Sequence, residues 1–538
     1  MDPLPAEVYL IGCGESMDDP KATASTMGSK AWNLLRMTRM SLPVPPAFVL
    51  GTRYCTDSSI REPATPDLWL PGLRAVEHST GLSFGDARCP LLVSVRSGAP
   101  VSMPGMMETL LNVGLCDATA AGMLRQTGNP RLVWDAYRRL VATYGEVVAG
   151  LPARLFDEAS VALVGTRDER DLDFAELREL TCRFLKVYAQ TAGLPFPQEP
   201  ELQLAGAIDA VFASWHSEKA REYRRLNGIP DAIGTAVTVQ RMVFGNAGGQ
   251  SGAGVGFTRD PTTGEPGMWV DFLFNAQGED VVSGRRSAHG SDELAAVLPA
   301  VWQTLRNAGG QLERAMGDMQ DFEFTVQDGQ LFMLQTRDGK RTPLAAARIA
   351  LDMQGEGLIN ADTARARTAL LNRETLATSR IVADNGAALV PLARAVPASS
   401  GIASGEIALD AARVVARRSV GAPAVLLRRD AETSDLAGLE SAAGLLTHRG
   451  ARTSHAAVVA RQLGKVCLVG CAEMEIDEAT RTVRLGDNIL HEGDLLTLDG
   501  NEGLLYSGAV QTQLVYPLDL LSRLETLRQR RERSTVLP

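Results

Sequence analysis

The sequence predicts a multidomain protein of mixed α/β (α+β) class. Three observations carry that prediction. The chain has 538 residues and is 45% hydrophobic, which is enough for about three or four domains with real cores. Strand-like runs (VYLIG, PAFVL, LLVSV) alternate near the N-terminus with helical ones such as KAWNLLRM. From PAVLLR to VCLVG, short apolar strands and alanine-rich helical segments again take turns.

Each segment follows from its pattern. Residues 119–227 read as mainly helical, because stretches such as RLVWDAYRRLVATYGEVV repeat apolar residues at three- and four-residue spacing. Strand signals return in AVTVQRMVF, GVGFT and MWVDFLF, and FEFTV with LFMLQT brackets a QDGQ turn that predicts a hairpin. Helices follow over 343–384. The stretch ALVPLARAVPASSGIASG (388–405) is rich in Pro, Ser, Gly and Ala and reads as a linker. Beyond it a compact α/β unit runs to about residue 510, and YPLDLLSRLETLRQRRERSTVLP reads as an amphipathic helix with a solvated, arginine-rich end. No internal repeat is visible.

Composition excludes some function classes. A formal net charge of −10 with mixed signs argues against a general nucleic-acid binder. No apolar run approaches the ~18 residues of a membrane helix, and MDPLPAEVYL lacks the features of a signal peptide. The seven cysteines are scattered and odd in number; they read as reduced thiols of a cytoplasmic protein, and Cys467 with Cys471 is weak evidence for zinc.

The segment THRGARTSHAAVVARQL (447–463) holds two of the six histidines. Thr453 and Ser454 are good N-caps and Gly464 suits the far end, so His455 falls in the first helical turn. The positive end of the helix keeps an imidazole neutral and nucleophilic, and its N–H groups can hold a phosphoryl group. Arg449 and Arg452 can neutralise phosphate oxygens. An ordinary first-turn histidine fits this isolated segment equally well, and His448 reads as structural.

Three further segments suit phosphate handling. SVRSGAPVSMPGMMETLLN (94–112) reads as a strand, Arg96, a loop with Gly98, Ser102 and Gly105, then a helix. FGNAGGQSGAGVGFTRDPTTGE (244–265) reads as a mobile flap or a long β-turn region, and matches neither the P-loop nor the Rossmann spacing. In DFEFTVQDGQLFMLQTRDGKR (321–341), Glu323 and Gln335 are polar residues on strands, a reasonable oxygen seat for Mg²⁺. A two-residue loop at Asp328-Gly329 would put them on opposite faces and a bulge on one face, so periodicity leaves this open.

Together the segments SVRSGAPVSMPGMMETLLNVGL, VWDAYRRL, YRRLNGIPDAIGTAVTVQRMVFGN, SGAGVGFTRDPTTGE, FNAQGEDVVSG, MQDFEFTVQDGQLFMLQTRDGKRT and RTSHAAVVARQLGK resemble the pyruvate phosphate dikinase family, in family order through nearly the whole chain. The resemblance implies an ATP-grasp nucleotide-binding region followed by a swivelling phosphohistidine domain. It implies these segments: 1–118 and 235–345 as the two parts of the ATP-grasp region, 119–234 as a mainly helical subdomain, 346–395 as a helical linker region, 396–510 as the swivelling domain and 511–538 as a C-terminal helix.

By the same resemblance the cofactors are ATP and Mg²⁺, with inorganic phosphate as a second substrate. His455 carries the phosphoryl group, and Arg96 and Arg337 act in catalysis. Lys30, Arg96, Ser102, Met103, Gly105, Glu279, Glu323, Gln335 and Arg337 bind the nucleotide, with Glu323 and Gln335 also holding the metal. Thr453 matches a position that is phosphorylated in some members. The family's C-terminal barrel, which binds pyruvate and phosphoenolpyruvate, has no counterpart in this sequence, so the acceptor is expected to be a small molecule bound here or on a separate protein, or the sequence to be a piece of a longer enzyme. A nucleotide-sensing, partner-docking protein is the competing expectation, and the chain is expected to be monomeric. Two motifs depart from the family's: Ser29-Lys30-Ala31-Trp32-Asn33-Leu34 replaces G-K-G-x-N-L, and RGARTSH replaces RGGMTSH, which places Arg452 before the histidine.

Overall fold

The computed structural model describes residues 4–13, 19–57, 65–101, 103, 106–165, 167, 169–282, 290–382, 389–430, 435–450, 452 and 454–534. The chain divides into two compact units, residues 1–249 with 326–336, and residues 250–325 with 337–538.

The first unit is built on a five-stranded sheet in the order Val8–Ile11, Ala47–Leu50, Ala236–Arg241, Val93–Gly98, Thr109–Val113. All four pairings are antiparallel. The strands are short, mostly buried runs, and VYLI and AFVL are buried along their whole length. The helix Ala24–Arg39 lies on this sheet, and the predicted helical stretch forms Pro130–Val147, Phe174–Ala192 and Pro200–Ser214 among others. Phe48, Trp69, Tyr137, Phe184, Leu204 and Val237 join sheet and helices in one core. The segment METLLN, read as helix, is instead the strand Thr109–Val113. Its β-branched and apolar residues pair with the strand bearing Arg96, and that pairing overrides the helical propensity of Met, Glu and Leu.

The second unit begins with the strands Gly252–Arg259 and Pro266–Phe274, paired antiparallel. Within the glycine-rich stretch, residues 252–259 are thus strand, as GVGFT signals, while turns precede them over 245–250. A Cβ on Gly252 would come within 2.2 Å of Phe272, one on Gly254 within 2.4 Å of Phe324 and one on Gly256 within 2.6 Å of Phe322. Three alternating glycines clear one face of a buried strand for aromatic rings.

The hairpin Gln320–Gln327/Gln330–Asp338 turns at Asp328 and Gly329, both with positive φ (51° and 77°), as a two-residue loop requires. At its base the Gly339 N–H reaches the Met319 carbonyl at 2.9 Å. That pairing is one residue out of step with a strict two-residue loop, so the hairpin contains a bulge. Glu323 belongs to the second unit and Gln335 to the first.

An eight-stranded sheet follows, with Ile402–Ala408, Ala424–Arg428, Gly444–Thr447 and Val466–Val469 parallel at its centre. Helices connect these strands, as parallel pairing demands, and the last of them is His455–Gln462. The stretch read as a linker supplies the strands Val396–Ser399 and Ile402–Ala408. Pro397 is tolerated there because its strand lies at the sheet's edge. The C-terminal helix Leu518–Ser534 packs Leu520, Leu524 and Leu527 against Ala347, Leu351 and Ala364.

Candidate functional site

In the first unit, Lys30, Arg96 and Gln335 line one small pocket with Leu34, Ser97, Thr238 and Leu334. The local structure explains how residues so distant in sequence meet. Gly28 interrupts the helix Ala24–Arg39 with φ 77° and ψ 154°, so Lys30 lies in the first turn of the segment that resumes after it. That segment is pinned to the end of the Arg96 strand, since both the backbone N–H and the hydroxyl of Ser29 donate to the Ala99 carbonyl, at 3.1 and 3.0 Å. Asn33 Nδ2 donates to the Thr336 carbonyl at 2.8 Å, which ties the same helix to the strand carrying Gln335. Arg96 is paired with Thr238 across the sheet, so both face the pocket. Gln335 is buried there. The motif that departs from the family's pattern is thus a kinked helix start, with Ala31 fully buried behind Lys30.

Ser102, Gly105 and Thr453 lie outside the described residues. Met103 is buried against Ala99, Trp215 and Ala220, so its side chain anchors the loop by packing. Glu279 sits in the first turn of the short helix Gly278–Val282.

In the second unit, Arg337 Nε donates to Asp321 Oδ2 at 2.8 Å. Asp321 is 3% exposed, and burial raises its pKa against the pull of Arg337. Burial lowers the Arg337 pKa, but Asp321 and Glu323 outweigh it and raise the result. Asp321, Glu323 and Arg337 thus form one charge cluster. Asp321 was missed by the sequence reading. The signal was present: in DFEF the two acids alternate with phenylalanines, which puts both carboxylates on one face of a strand.

The helix His455–Gln462 starts at the histidine, with Ser454 as N-cap accepting from the Ala457 N–H at 3.4 Å. Gly464 follows in the left-handed region (φ 64°). Of the arginines offered for phosphate, Arg449 lies 3.8 Å from Asp430, and the Arg452 guanidinium stands over the Trp269 ring. His448 Nδ1 meets the Cys471 carbonyl at 3.1 Å, a structural role. None of the seven cysteines is in a disulfide; burial pushes the Cys467 and Cys471 thiols up to about 12 and about 11. No helix among the described residues is long and apolar enough to cross a membrane.

The family model "Pyruvate phosphate dikinase, AMP/ATP-binding domain" matches residues 58–297 and 291–357, and "PEP-utilising enzyme, mobile domain" matches residues 420–503. The chain is 42% identical over 499 residues to pyruvate, phosphate dikinase of Clostridium symbiosum, covering 90% of this chain and 57% of that protein. It is 41% identical over 508 residues to pyruvate, phosphate dikinase 2 of Zea mays (93% and 57%) and 40% identical over 522 residues to pyruvate, phosphate dikinase of Rhizobium meliloti (94% and 58%). The chain therefore spans somewhat more than half the length of these curated relatives.

Proposed function

The chain belongs to the pyruvate phosphate dikinase family, and from that premise we propose that it is an ATP-dependent phosphotransferase that forms phosphohistidine on His455. The observation that carries this reading is the convergence of Lys30, Arg96 and Gln335 on one pocket. Two cations and an amide facing each other suit a polyphosphate, which needs charge compensation and several hydrogen bonds at once.

In the proposed reaction an imidazole nitrogen of His455 attacks the β-phosphorus of ATP, and the bond from that phosphorus to the α-bridging oxygen breaks. AMP leaves with the bridging oxygen. The γ-phosphoryl passes to inorganic phosphate, giving pyrophosphate, or to water, giving phosphate. The β-phosphoryl remains on the histidine for transfer to an acceptor bound here or on a separate protein. In this reading Lys30 and Arg96 hold the phosphates, Ser102, Met103 and Gly105 serve as the phosphate loop of the family resemblance, and Glu279 serves the ribose. Arg337, held by Asp321, supplies positive charge where negative charge develops.

Glu323 and Gln335 are the proposed Mg²⁺ ligands. Their donors are all oxygen, and the neighbouring Asp321 adds another carboxylate, which is the chemistry a hard cation takes. Bound there, Mg²⁺ would act as a Lewis acid that offsets phosphate charge.

The test is label transfer from β-³²P-ATP to protein with Mg²⁺, with and without inorganic phosphate, on wild type and His455→Ala. Acid-labile, base-stable label that needs His455 is the expected result, and its phosphate dependence separates the two γ-phosphoryl acceptors. Nucleotide binding without any label would sink the enzymatic reading in favour of a nucleotide sensor that docks a partner.

A further inference from the structure

Phe257 and Trp269 are directly opposed residues on the strands Gly252–Arg259 and Pro266–Phe274, with ring centroids 5.8 Å apart. Two arginines from the region matching the mobile domain stand over these rings. The Arg452 Cζ is 4.8 Å from the centroid of Trp269, and the Arg461 Cζ is 5.6 Å from that of Phe257. Arg461 is 4% exposed and sits at the far end of the helix that begins at His455. Its Nη2 donates to the Ala398 carbonyl at 2.8 Å and to the Arg452 carbonyl at 3.2 Å. The segment just before His455 is therefore held twice, through the backbone of Arg452 by Arg461 and through its side chain by Trp269.

The charges at this contact are unusual. Burial lowers the pKa of both arginines. Among the described residues, Arg452 Nε and Arg461 Nη1 are buried without a hydrogen-bond partner. Asp260 and Asp271 are the acids whose fields reach Arg452. A salt bridge would hold such a surface firmly once desolvated. A guanidinium on a ring gains less, and leaves its remaining N–H groups asking for water. Such a contact is specific in geometry and easily undone.

We propose that Trp269 and Phe257 form a cation–π docking plate for the histidine-bearing domain, and that Arg452 is a positioning residue that seats the segment before His455 on the strands Gly252–Arg259 and Pro266–Phe274. This rests on the phosphotransferase reading for its kinetic consequence, but the docking itself does not. In a chain whose histidine must load at one place and deliver at another, the strength of this plate sets the share of molecules poised for loading. The arginine before Thr453, which stands where the family motif has methionine, thereby tunes that share in this protein.

The experiment compares wild type with Arg452→Met, Arg452→Lys, Trp269→Ala, Trp269→Tyr and the Arg452→Met/Trp269→Ala double variant. Amide exchange over 449–462 reads docking, and single-turnover labelling from β-³²P-ATP reads loading. Arg452→Met and Trp269→Ala should each speed exchange over that segment and slow labelling roughly 3- to 30-fold, the span of a cation–π contact, without weakening ATP binding. The double variant should be no slower than the slower single one. Arg452→Lys and Trp269→Tyr, which keep cation and ring, should recover much of the loss and also control for misfolding. Unchanged exchange in both Arg452→Met and Trp269→Ala, or losses that multiply in the double variant, would overturn the proposal. If wild type takes no label, the phosphotransferase reading falls alone, and exchange still decides the docking plate.

Discussion

Arg337 approaches Asp321 through two nitrogens, Nε and Nη2, each 2.8 Å from the same carboxylate oxygen, Oδ2. The carboxylate is 3% exposed whereas the Arg337 side chain is 38% exposed, so the cation is presented outward from a buried anchor. Removing Arg337 strands a buried charge. Arg337→Ala should cost about 1–3 kcal/mol, less than a fully buried pair because the arginine is partly solvated. The loss depends on pH. Asp321 already binds its proton more tightly folded than unfolded, and loss of Arg337 strengthens that tendency. Such a group favours the folded state below the unfolded carboxylate pKa, and that benefit disappears as pH rises through the folded pKa. The deficit of Arg337→Ala should therefore narrow between about pH 8 and about pH 5 in urea titrations. A deficit that widens on acidification would refute this account.

Asp135 in the first unit has the opposite sign. Burial pushes its pKa up, but Arg139 and Arg138 outweigh burial and hold it below the ordinary value. Arg138 reaches Oδ1 at 2.6 Å and Arg139 reaches Oδ2 at 3.0 Å. Its stabilising contribution is present above the unfolded carboxylate pKa and is lost as pH falls through the depressed folded one. Asp135→Asn should cost about 2–4 kcal/mol at neutral pH, with the gap to wild type closing below about pH 4. Thermal unfolding across that range checks it.

The pocket itself predicts binding losses. Lys30→Met and Arg96→Met should each weaken a non-hydrolysable MgATP analogue by about 1.5–3 kcal/mol, or roughly 10- to 150-fold. Arg96→Lys should recover only part of this, because one ammonium lacks the planar fork of a guanidinium. Titration calorimetry reads both, and undiminished affinity in either methionine variant would remove that residue from the phosphate site.

Much of this was legible in the sequence because the signals are local. The helix beginning at His455 follows from its caps, and the hairpin follows from Asp328-Gly329. What escaped depends on partners distant in the chain. METLLN has helical residues but pairs with the strand of Arg96. Gly252, Gly254 and Gly256 lie in a stretch whose glycines read as a flap or a turn region even though GVGFT within it carries a strand signal, and the conflict resolves only when Phe272, Phe324 and Phe322 are placed against them. Pro397 marks a linker only if its strand is not known to lie at an edge. At the proposed site, the sequence offers Arg96 from its own segment and Lys30 through the family resemblance, and both line one pocket; the stacking of Arg452 on Trp269 joins residues 183 positions apart and has no local signature.

The glycine strand offers a direct check of that placement. Gly254→Ala places a methyl 2.4 Å from the Phe324 ring in a buried layer, and the ring is fixed by Phe272 stacked 5.7 Å away. It should destabilise the protein by about 1–3 kcal/mol. If the stretch were a flap, the same change would be neutral in a urea titration.

Gly28 joins fold and site, and a control at Gly310 sharpens its prediction. At φ 77°, Gly28 occupies a backbone region that resists side chains, and a Cβ there would lie 1.7 Å from the Gly98 carbonyl oxygen. Gly98 ends the strand bearing Arg96, in register with Ala236, and its N–H donates to Thr235 Oγ1 at 3.2 Å, so that segment has little freedom to retreat. Gly28→Ala must push the Lys30 helix away from the Arg96 strand. Nucleotide affinity should fall about as far as in Lys30→Met, at least tenfold, even though no phosphate ligand is removed. Strain adds an expected stability loss of about 1–3 kcal/mol. Gly310, inside the helix Pro299–Met316, meets only the end of the Arg314 side chain at 3.7 Å. There the same methyl should stabilise by about 0.5–1 kcal/mol through helix propensity and leave nucleotide binding untouched. Binding and melting of the two variants, measured together, separate a glycine required by close approach from one that is merely tolerated. Full nucleotide affinity in Gly28→Ala would mean that the kink does not set the spacing of Lys30 and Arg96.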